Sequence, residues 1–146
     1  MTEQLKAKVL LVDDEEDFLA TLAERLTTRG LKVSTAASGE QALAKTDKEG
    51  FDLIILDLAM PGMDGIETLK RMKAKQPDAE IIILSGQGSI KTSIEAMKHG
   101  AEDFMEKPVN ITELLDKISD AKDKRLSVIE QKSVKDIEKI LKSKGW

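Results

Sequence analysis

The sequence predicts an α/β protein in which a doubly wound, five-stranded parallel sheet is followed by a C-terminal helical extension. Three observations support this class. Short apolar runs alternate five times with segments of helical periodicity, the connections between them are short, and the central run at 53–56 is apolar throughout, as in a strand buried on both faces. Right-handed crossover connections then place all five strands in one sheet, for which we expect the order 2-1-3-4-5.

Glycine, proline and capping residues set the boundaries of the predicted elements. Ser38, followed by Gln41 three residues later, is typical of a capped helix start. Proline cannot continue a strand ladder, so Pro61-Gly62 ends the third strand. The predicted strands are 8–12, 31–35, 53–58, 80–84 and 102–105, and the predicted helices end at Gly30, Gly50, near Pro77 and at Gly100, with a fifth beginning near Asn110 or Thr112.

The composition argues against several classes of function. The 146 residues include no cysteine, so disulfides and thiolate metal sites are excluded and a reducing cytoplasm fits. A net charge of −4 and 3% aromatic residues, without tyrosine, argue against nucleic acid as a direct partner. No apolar stretch approaches the roughly 18 residues of a membrane span. We therefore expect a cytoplasmic protein with no membrane partner and no direct nucleic-acid partner.

The C-terminal segment differs in charge from the rest of the chain. Residues 119–146 carry eight basic and five acidic residues, a net charge of +3, so residues 1–118 carry −7 of the total of −4. We expect one domain at 1–122 and a helical extension at 123–146. The extension is too short for a helix-turn-helix reader or an ATPase domain.

The extension also differs in helical phase from the helix before it. Its apolar residues between 126 and 141 form a stripe that is rotated by roughly 90° from the stripe of 111–118. One straight helix cannot bury both stripes against the same sheet. Either the chain breaks near 123–125, or the second stripe meets a second subunit, a kinase or the flank of the fold.

Acidic side chains follow the first and third predicted strands. Asp13 and Asp14 come directly after strand 1, and Asp57 lies at the end of strand 3. The strand order 2-1-3-4-5, which is common in flavodoxin-like folds, brings these ends together at the sheet edge where ligands bind. Three clustered carboxylates repel one another unless a cation lies among them, and an oxygen-only ligand set suits Mg²⁺. The alternatives are a solvated turn aspartate at Asp57 and ordinary acidic residues at a helix start.

A hydroxyl and an ammonium group follow the fourth and fifth strands. Ser85 and Lys107 lie at the same predicted edge, where both can reach an anion attached to Asp57. An aspartate can act as a nucleophile and carry a phosphoryl group, whose oxygens need cationic partners. Taken singly, Ser85 is an ordinary turn residue and Lys107 a solvated lysine. Their joint position favours a site for phosphoryl transfer.

Four motifs in order resemble the receiver domain of bacterial two-component response regulators, over roughly residues 7 to 122. Any one of them alone is weak, but their order and spacing together are highly specific. The motifs are Val12-Asp13-Asp14-Glu15, Asp57-Leu58-Ala59-Met60-Pro61-Gly62-Met63-Asp64-Gly65, Leu84-Ser85-Gly86 and Asp103-Phe104-Met105-Glu106-Lys107-Pro108.

The resemblance implies a phosphoacceptor switch rather than an enzyme, with at most self-phosphorylation and self-dephosphorylation. It implies that Asp57 receives a phosphoryl group from a sensor histidine kinase or a phosphotransfer protein. A change of surface around the fourth helix and fifth strand would follow. The resemblance implies that Asp14, Asp57 and the backbone carbonyl of Ala59 bind Mg²⁺ directly and that Asp13 binds it through water. It implies that Ser85 and Lys107 bind the phosphoryl group. It also implies that Phe104 rotates inward on activation, for which plain core packing is the alternative.

The resemblance also suggests partners for the chain. A homodimer is expected through helix 4, strand 5 and helix 5, or through the C-terminal helix. The stretches 87–90 and 95–101 further resemble receivers that precede ATPase-type transcriptional activators. His99, before a glycine at a helix end, is interpreted as a surface residue.

Three other functions remain as alternatives. The chain could be the receiver fragment of a longer transcription regulator. An aspartyl-phosphate phosphohydrolase of the haloacid-dehalogenase type is less favoured, because such enzymes carry a second acid two residues after the nucleophile, where this chain has Ala59. A flavodoxin-like cofactor binder is disfavoured because no Ser/Thr-Gly-rich phosphate loop follows the first strand. Ala59 also has no polar side chain to position or exclude an attacking water, so this position does not indicate whether phosphoryl loss is fast or slow.

Overall fold

The computed structural model describes residues 7–58, 65–86 and 90–143. The strands and helices in these ranges alternate as the sequence predicts, and most boundaries lie within one or two residues of the predicted ones. The elements are β1 (Lys8–Val12), α1 (Glu16–Thr28), β2 (Lys32–Ala36), α2 (Gly39–Lys48), β3 (Leu53–Asp57), α3 (Gly65–Lys75), β4 (Ile81–Ser85), α4 (Ile90–Lys98), β5 (Asp103–Glu106) and α5 (Ile111–Ser143).

The five strands form one parallel sheet in the order β2-β1-β3-β4-β5, which confirms the predicted fold class and strand order. In the register, Val12 of β1 pairs with Leu56 of β3, and Asp57 pairs with Leu84 of β4. The carboxyl ends of β1, β3, β4 and β5 therefore lie along one edge of the sheet. This edge positions the polar residues that follow the strands.

Two apolar clusters cover the two faces of the sheet. One contains side chains of α2, α3 and α4, and the other contains side chains of α1 and α5. Strand β3 is buried along its whole length, as its unbroken apolar run predicts. Each large apolar side chain that is fully buried contributes about 1.5–3 kcal/mol relative to exposure, so the core holds the sheet edge rigidly.

The predicted helix caps that lie in the described ranges are present. The backbone N–H of Gln41 donates to Ser38 Oγ at 3.1 Å, and the N–H of Ala37 donates to Gln41 Oε1 at 3.0 Å. The N–H of Glu113 donates to Asn110 Oδ1 at 3.0 Å, so Asn110 rather than Thr112 caps α5. The predicted strand end at Pro61-Gly62 lies outside the described residues.

Helix α4 packs through small residues and turns larger apolar side chains outward. Ser93 and Ala96 are buried, whereas Ile94 is 50% exposed and Met97 is 38% exposed. Small side chains let a helix approach a sheet closely, but they contribute little to hydrophobic periodicity. The outward side chains leave an apolar patch beside β5.

Helix α5 is continuous over 33 residues. The alternative of a chain break near 123–125 is therefore wrong. A change in the phase of the apolar stripe does not interrupt a helix by itself, and the segment 111–143 contains neither proline nor glycine. The first stripe is buried at Leu114, Ile118 and Ala121, whereas the second stripe is exposed from residue 134 onward. Its exposed members are Val134, Ile137, Ile140 and Leu141. Throughout the described ranges, each helix is too short or too polar to cross a bilayer.

Candidate functional site

Three carboxylates meet at the carboxyl edge of the sheet. One oxygen from each of Asp13, Asp14 and Asp57 lies within 4.8 Å of the other two. The cause is the β1–β3 register, which carries the residues after Val12 alongside Asp57. Asp13 is 1% exposed and Asp57 is 3% exposed, while Asp14 is open to solvent. Two nearly buried carboxylates this close together require positive charge nearby.

The turn after β1 holds Asp13 in place. Its backbone N–H donates to the carbonyl oxygen of Ala36 at 3.1 Å, which extends the β1–β2 ladder by one residue. Its Oδ1 atom accepts from the N–H of Glu15 at 2.9 Å, at the start of α1. The Oδ2 atom then faces the site and accepts from Lys107.

Lys107 supplies the positive charge. Its Nζ atom lies 2.8 Å from Asp13 Oδ2, 3.2 Å from Glu15 Oε1 and 3.8 Å from Asp57 Oδ2. The same Nζ lies 4.4 Å from the ring centroid of Phe18, and the Lys107 side chain is only 18% exposed. The backbone N–H of Lys107 donates to the carbonyl of Ser85 at 2.8 Å, which anchors the residue beside the end of β4.

The surroundings of Lys107 keep it charged. Burial lowers the pKa of Lys107, but the hydrogen bond to Asp13, the charges of Asp57 and Asp13 and the hydrogen bond to Glu15 together outweigh burial and raise this pKa above its usual value. The ammonium form therefore persists at neutral pH and neutralises part of the carboxylate charge.

Ser85 lies at the same edge, one residue after the partner of Asp57. It is 3% exposed, and its hydroxyl donates to the carbonyl oxygen of Met105 at 3.5 Å. That distance is at the outer limit for a hydrogen bond, so this contact restrains the hydroxyl only weakly. The structure thus brings Ser85 and Lys107 to the edge that holds the three carboxylates.

The remaining candidate residues are Phe104 and Ala59. Phe104 lies on β5, three residues before Lys107, and is 37% exposed, so it is not packed into the core. Ala59, whose carbonyl oxygen was expected to face the metal, lies outside the described residues.

Gly65 allows α3 to begin close to the end of β3, which carries Asp57. At this first residue of α3, a Cβ atom would lie 2.3 Å from Leu58 Cα and 2.6 Å from the carbonyl oxygen of Asp57. The N–H of Gly65 also donates to the carbonyl of Leu58 at 3.1 Å. Only glycine permits α3 to begin this close to the end of β3. By contrast, a Cβ atom at Gly86 would meet nothing within 4 Å.

Sequence reasoning missed Glu15, Phe18 and Gly65 as parts of the site. Glu15 belongs to the Val12-Asp13-Asp14-Glu15 motif but has no role assigned there, and Phe18 belongs to none of the four motifs. Gly65 lay within a quoted motif without a role. The contacts of Glu15 and Phe18 with Lys107 join residues about 90 positions apart, and no local pattern encodes them.

The donor set fits a hard divalent cation. Asp13, Asp14 and Asp57 offer carboxylate oxygens without nitrogen or sulfur ligands, and Asp14 leaves the cluster open to water on one side. Mg²⁺ is commonly bound by one or two carboxylates with water and phosphate oxygens filling the remaining positions.

Comparison with known proteins decides the family. The model of the response regulator receiver domain matches residues 9–119. The chain belongs to the response regulator receiver family. The family implied by the sequence motifs is thereby confirmed, and receiver domains are signalling modules rather than metabolic enzymes.

Relatives of this receiver domain are longer regulators. The chain is 34% identical over 127 residues to the C4-dicarboxylate transport transcriptional regulatory protein DctD of Rhizobium meliloti, covering 87% of this chain and 28% of DctD. It is 38% identical over 113 residues to the transcriptional regulatory protein ZraR of Klebsiella oxytoca, covering 77% of this chain and 26% of ZraR. The chain therefore spans little more than a quarter of these relatives.

Solved structures agree with the receiver fold. NtrX from Brucella abortus superposes with a TM-score of 0.84 at 30% identity, over 89% of this chain and 30% of NtrX. A response regulator receiver domain protein from Clostridium thermocellum superposes with a TM-score of 0.80 at 32% identity, over 84% of this chain and 98% of that chain. These matches support the five-stranded doubly wound fold.

Proposed function

We propose that this receiver domain is a phosphorylation-dependent switch in which Asp57 is the acceptor. The observation that carries the proposal is the convergence of Asp57, Asp13, Asp14 and Lys107 at one sheet edge. Three carboxylates and one ammonium match a site that holds a divalent cation and a transferable anion.

The chemistry is nucleophilic displacement at phosphorus. A carboxylate oxygen of Asp57 attacks the phosphorus of a phosphohistidine on a sensor kinase or phosphotransfer protein. The new P–O bond forms as the P–N bond breaks, and the imidazole nitrogen keeps the electron pair and takes up a proton. Bound Mg²⁺ would supply neutralisation of the phosphoryl oxygens. Asp14, Asp57, the carbonyl of Ala59 and, through water, Asp13 would hold it.

The phosphoryl group would change the balance of charge at the site. It adds roughly two negative charges, for which Lys107 is the nearby cation. Ser85 can exchange its long contact with Met105 for a hydrogen bond to a phosphoryl oxygen. Movement of Ser85 toward the acceptor opens space behind it, and Phe104, now on the surface, can rotate inward to fill that space. The surface around α4 and β5 would change with it.

Two exposed apolar surfaces support a role in protein association. Ile94, Met97 and Phe104 are exposed on α4 and β5, and the second stripe of α5 is exposed from residue 134 onward. We propose a sensor histidine kinase or phosphotransfer protein as the phosphoryl donor. A second copy of the chain would bind through the α4–β5–α5 face or the C-terminal helix, without direct contact to nucleic acid or membrane. The absence of cysteine supports a cytoplasmic setting.

The second candidate is that the chain acts as the receiver part of a longer transcription regulator. The observation that favours it is the small share of DctD and ZraR that the chain spans. The domain at 1–122 would then connect to an output region through the extension at 123–146. Sequencing of the whole reading frame distinguishes this candidate from a stand-alone switch.

Phosphoryl uptake tests the proposed function. The protein is incubated with acetyl phosphate and Mg²⁺, and its intact mass is measured. We expect one phosphoryl adduct in the wild type and none in Asp57→Asn or without Mg²⁺. Steady hydrolysis of added phosphate esters without a stable adduct would instead favour a phosphohydrolase. An adduct of equal yield in Asp57→Asn would overturn the proposal.

A further inference from the structure

We propose that Phe18, together with Glu15, is a positioning residue that holds the Lys107 ammonium at the rim of the site. The expected effect on the rate of phosphorylation rests on the proposed function, whereas the position of the Lys107 ammonium does not. Neither residue was expected to contact Lys107 from the sequence. Both come from the turn after β1 and the first turn of α1.

The geometry of the Phe18 contact is that of a cation–π interaction. The Lys107 Nζ atom lies 4.4 Å from the Phe18 ring centroid, well inside the distance of about 6 Å over which a ring face attracts a cation. Phe18 is half-buried and packs against the apolar cluster of α1 and α5, so its ring is held in place. The Lys107 side chain is only 18% exposed, and this limited contact with water strengthens the attraction.

Lysine needs such a support because its long stem is flexible and its ammonium is a point charge. The hydrogen bonds and charges that now hold Lys107 come largely from Asp13, at 2.8 Å, and less from Asp57, at 3.8 Å. Both carboxylates are candidate partners of a divalent cation. When they are engaged by a metal, their attraction for Lys107 weakens.

Glu15 and Phe18 are not candidate metal ligands, so both still contact Lys107 when a metal engages Asp13 and Asp57. Glu15 Oε1 lies 3.2 Å from Nζ on one side, and the Phe18 ring covers another. Together they keep the ammonium beside Asp57 rather than in solvent. The ammonium then meets the phosphoryl group without having to be ordered during transfer.

The chain contains a second pair of the same kind that serves as a matched control. Lys8 Nζ lies 5.1 Å from the ring centroid of Phe51, at the opposite end of the sheet from Asp57. Phe51 is 4% exposed and belongs to the core, so Phe51→Leu perturbs packing without touching the site.

The first measurement reports the position of the Lys107 side chain and does not depend on phosphorylation. In protein with ¹³C-labelled lysine, the ε-methylene protons of Lys107 should be shifted upfield by the Phe18 ring, with the signal assigned from its loss in Lys107→Arg. We expect Phe18→Leu, which keeps apolar volume, to abolish the upfield shift. Phe18→Tyr should keep it, and Phe51→Leu should leave it unchanged. An unaltered Lys107 signal in Phe18→Leu overturns the proposal.

The second measurement reports the consequence for transfer. With saturating Mg²⁺ and acetyl phosphate, Phe18→Leu should slow phosphorylation by about 2- to 30-fold, the range that corresponds to loss of one cation–π contact. Phe18→Tyr should restore the rate, and Phe51→Leu should not change it. Equal slowing in Phe18→Leu and Phe51→Leu would show a merely structural effect and overturn the proposal. If the wild type takes up no phosphoryl group, the proposed function fails, and the lysine signal alone then decides the placement of Lys107.

Discussion

The Nζ atom of Lys107 lies 2.8 Å from Oδ2 of Asp13, although 94 positions separate the two residues in the chain. This contact joins the end of β1 to the residue that follows β5, and strands β3 and β4 lie between β1 and β5 in the sheet. It places a cation among the carboxylates of Asp13 and Asp57. Lys107 therefore neutralises part of the carboxylate charge before any ligand arrives, and this role can be tested by substitution.

Removal of the Lys107 charge is expected to destabilise the protein when metal is absent. In Lys107→Met, the nearly buried carboxylates of Asp13 and Asp57 lose their shared partner, which should lower the free energy of unfolding by about 1–3 kcal/mol. Urea unfolding without Mg²⁺ measures the loss, and added Mg²⁺ should restore more stability in this variant than in the wild type.

A lysine in an exposed ion pair provides the control for that prediction. Lys124 pairs with Glu102, and the Lys124 side chain is 54% exposed. Lys124→Met should change the free energy of unfolding by no more than about 1 kcal/mol and should not alter the response to Mg²⁺. Equal losses in the two lysine variants would contradict the balancing role of Lys107.

Gly65 is expected to tolerate no side chain. In Gly65→Ala, the new methyl group would meet the backbone of Asp57 and Leu58 at 2.3–2.8 Å, so α3 or the end of β3 must shift. We expect a loss of about 1–3 kcal/mol or more in the free energy of unfolding, measured by urea. Gly86→Ala, where the methyl group meets no atom within 4 Å, should stay within about 0.5 kcal/mol of the wild type. Similar stability in both variants would contradict the close packing at Gly65.

The pH dependence of stability is expected to contain a contribution from Glu80, at the start of β4. Burial, followed by the charge and hydrogen bond of Glu102, raises the pKa of Glu80 more than Lys124 and Lys73 lower it. Because the folded-state pKa is the higher one, the folded protein binds the proton more tightly than the unfolded chain. Stability should therefore fall as pH rises from the usual glutamate pKa of about 4.3 through the raised value.

The measurement is urea unfolding across that pH window. Glu80→Gln cannot ionise, so its stability should decline less with pH than that of the wild type, and at neutral pH it should be the more stable protein. Glu24→Gln makes the same chemical change on the exposed side of α1 and serves as the control for the substitution itself. A wild-type profile that rises over this window and is not altered by Glu80→Gln would refute the assignment.

The exposed stripe of α5 is expected to contribute to association and not to the fold of the monomer. Ile137 is 58% exposed, so Ile137→Glu should change the free energy of unfolding by less than about 0.5 kcal/mol. After phosphorylation, we expect light scattering to show a dimer for the wild type and a monomer for the variant. Ile118→Ala, in the buried stripe of the same helix, should instead cost about 2–5 kcal/mol. A destabilised Ile137→Glu monomer would mean that the stripe packs on its own domain.

Much of this architecture was predictable because it follows from local patterns. Five apolar runs with short connections determine a parallel sheet, and the ends of four of them place Asp13, Asp57, Ser85 and Lys107 at one edge. The cap at Ser38 follows from residues only three positions apart. Such features need no knowledge of contacts between distant parts of the chain.

Other features depend on three-dimensional contact and could not be predicted. The outward orientation of Ile94 depends on how closely α4 approaches the sheet through Ser93 and Ala96. The support of Lys107 by Phe18 depends on the position of the β5–α5 connection over α1. The sequence did not decide whether α5 is continuous. An apolar stripe indicates which face of a helix is covered, but it does not indicate where the helix ends.

The identity of the phosphorylated residue tests the central claim most directly. Protein treated with acetyl phosphate and Mg²⁺ is reduced with borohydride, which converts an acyl phosphate to an alcohol, and the altered residue is located by peptide mass spectrometry. We expect a single altered residue, Asp57, whose modification requires Mg²⁺ and is strongly reduced in Lys107→Met. Modification of Asp13 or Asp14 instead of Asp57, or of Asp57 to the same extent without Mg²⁺, would contradict the account.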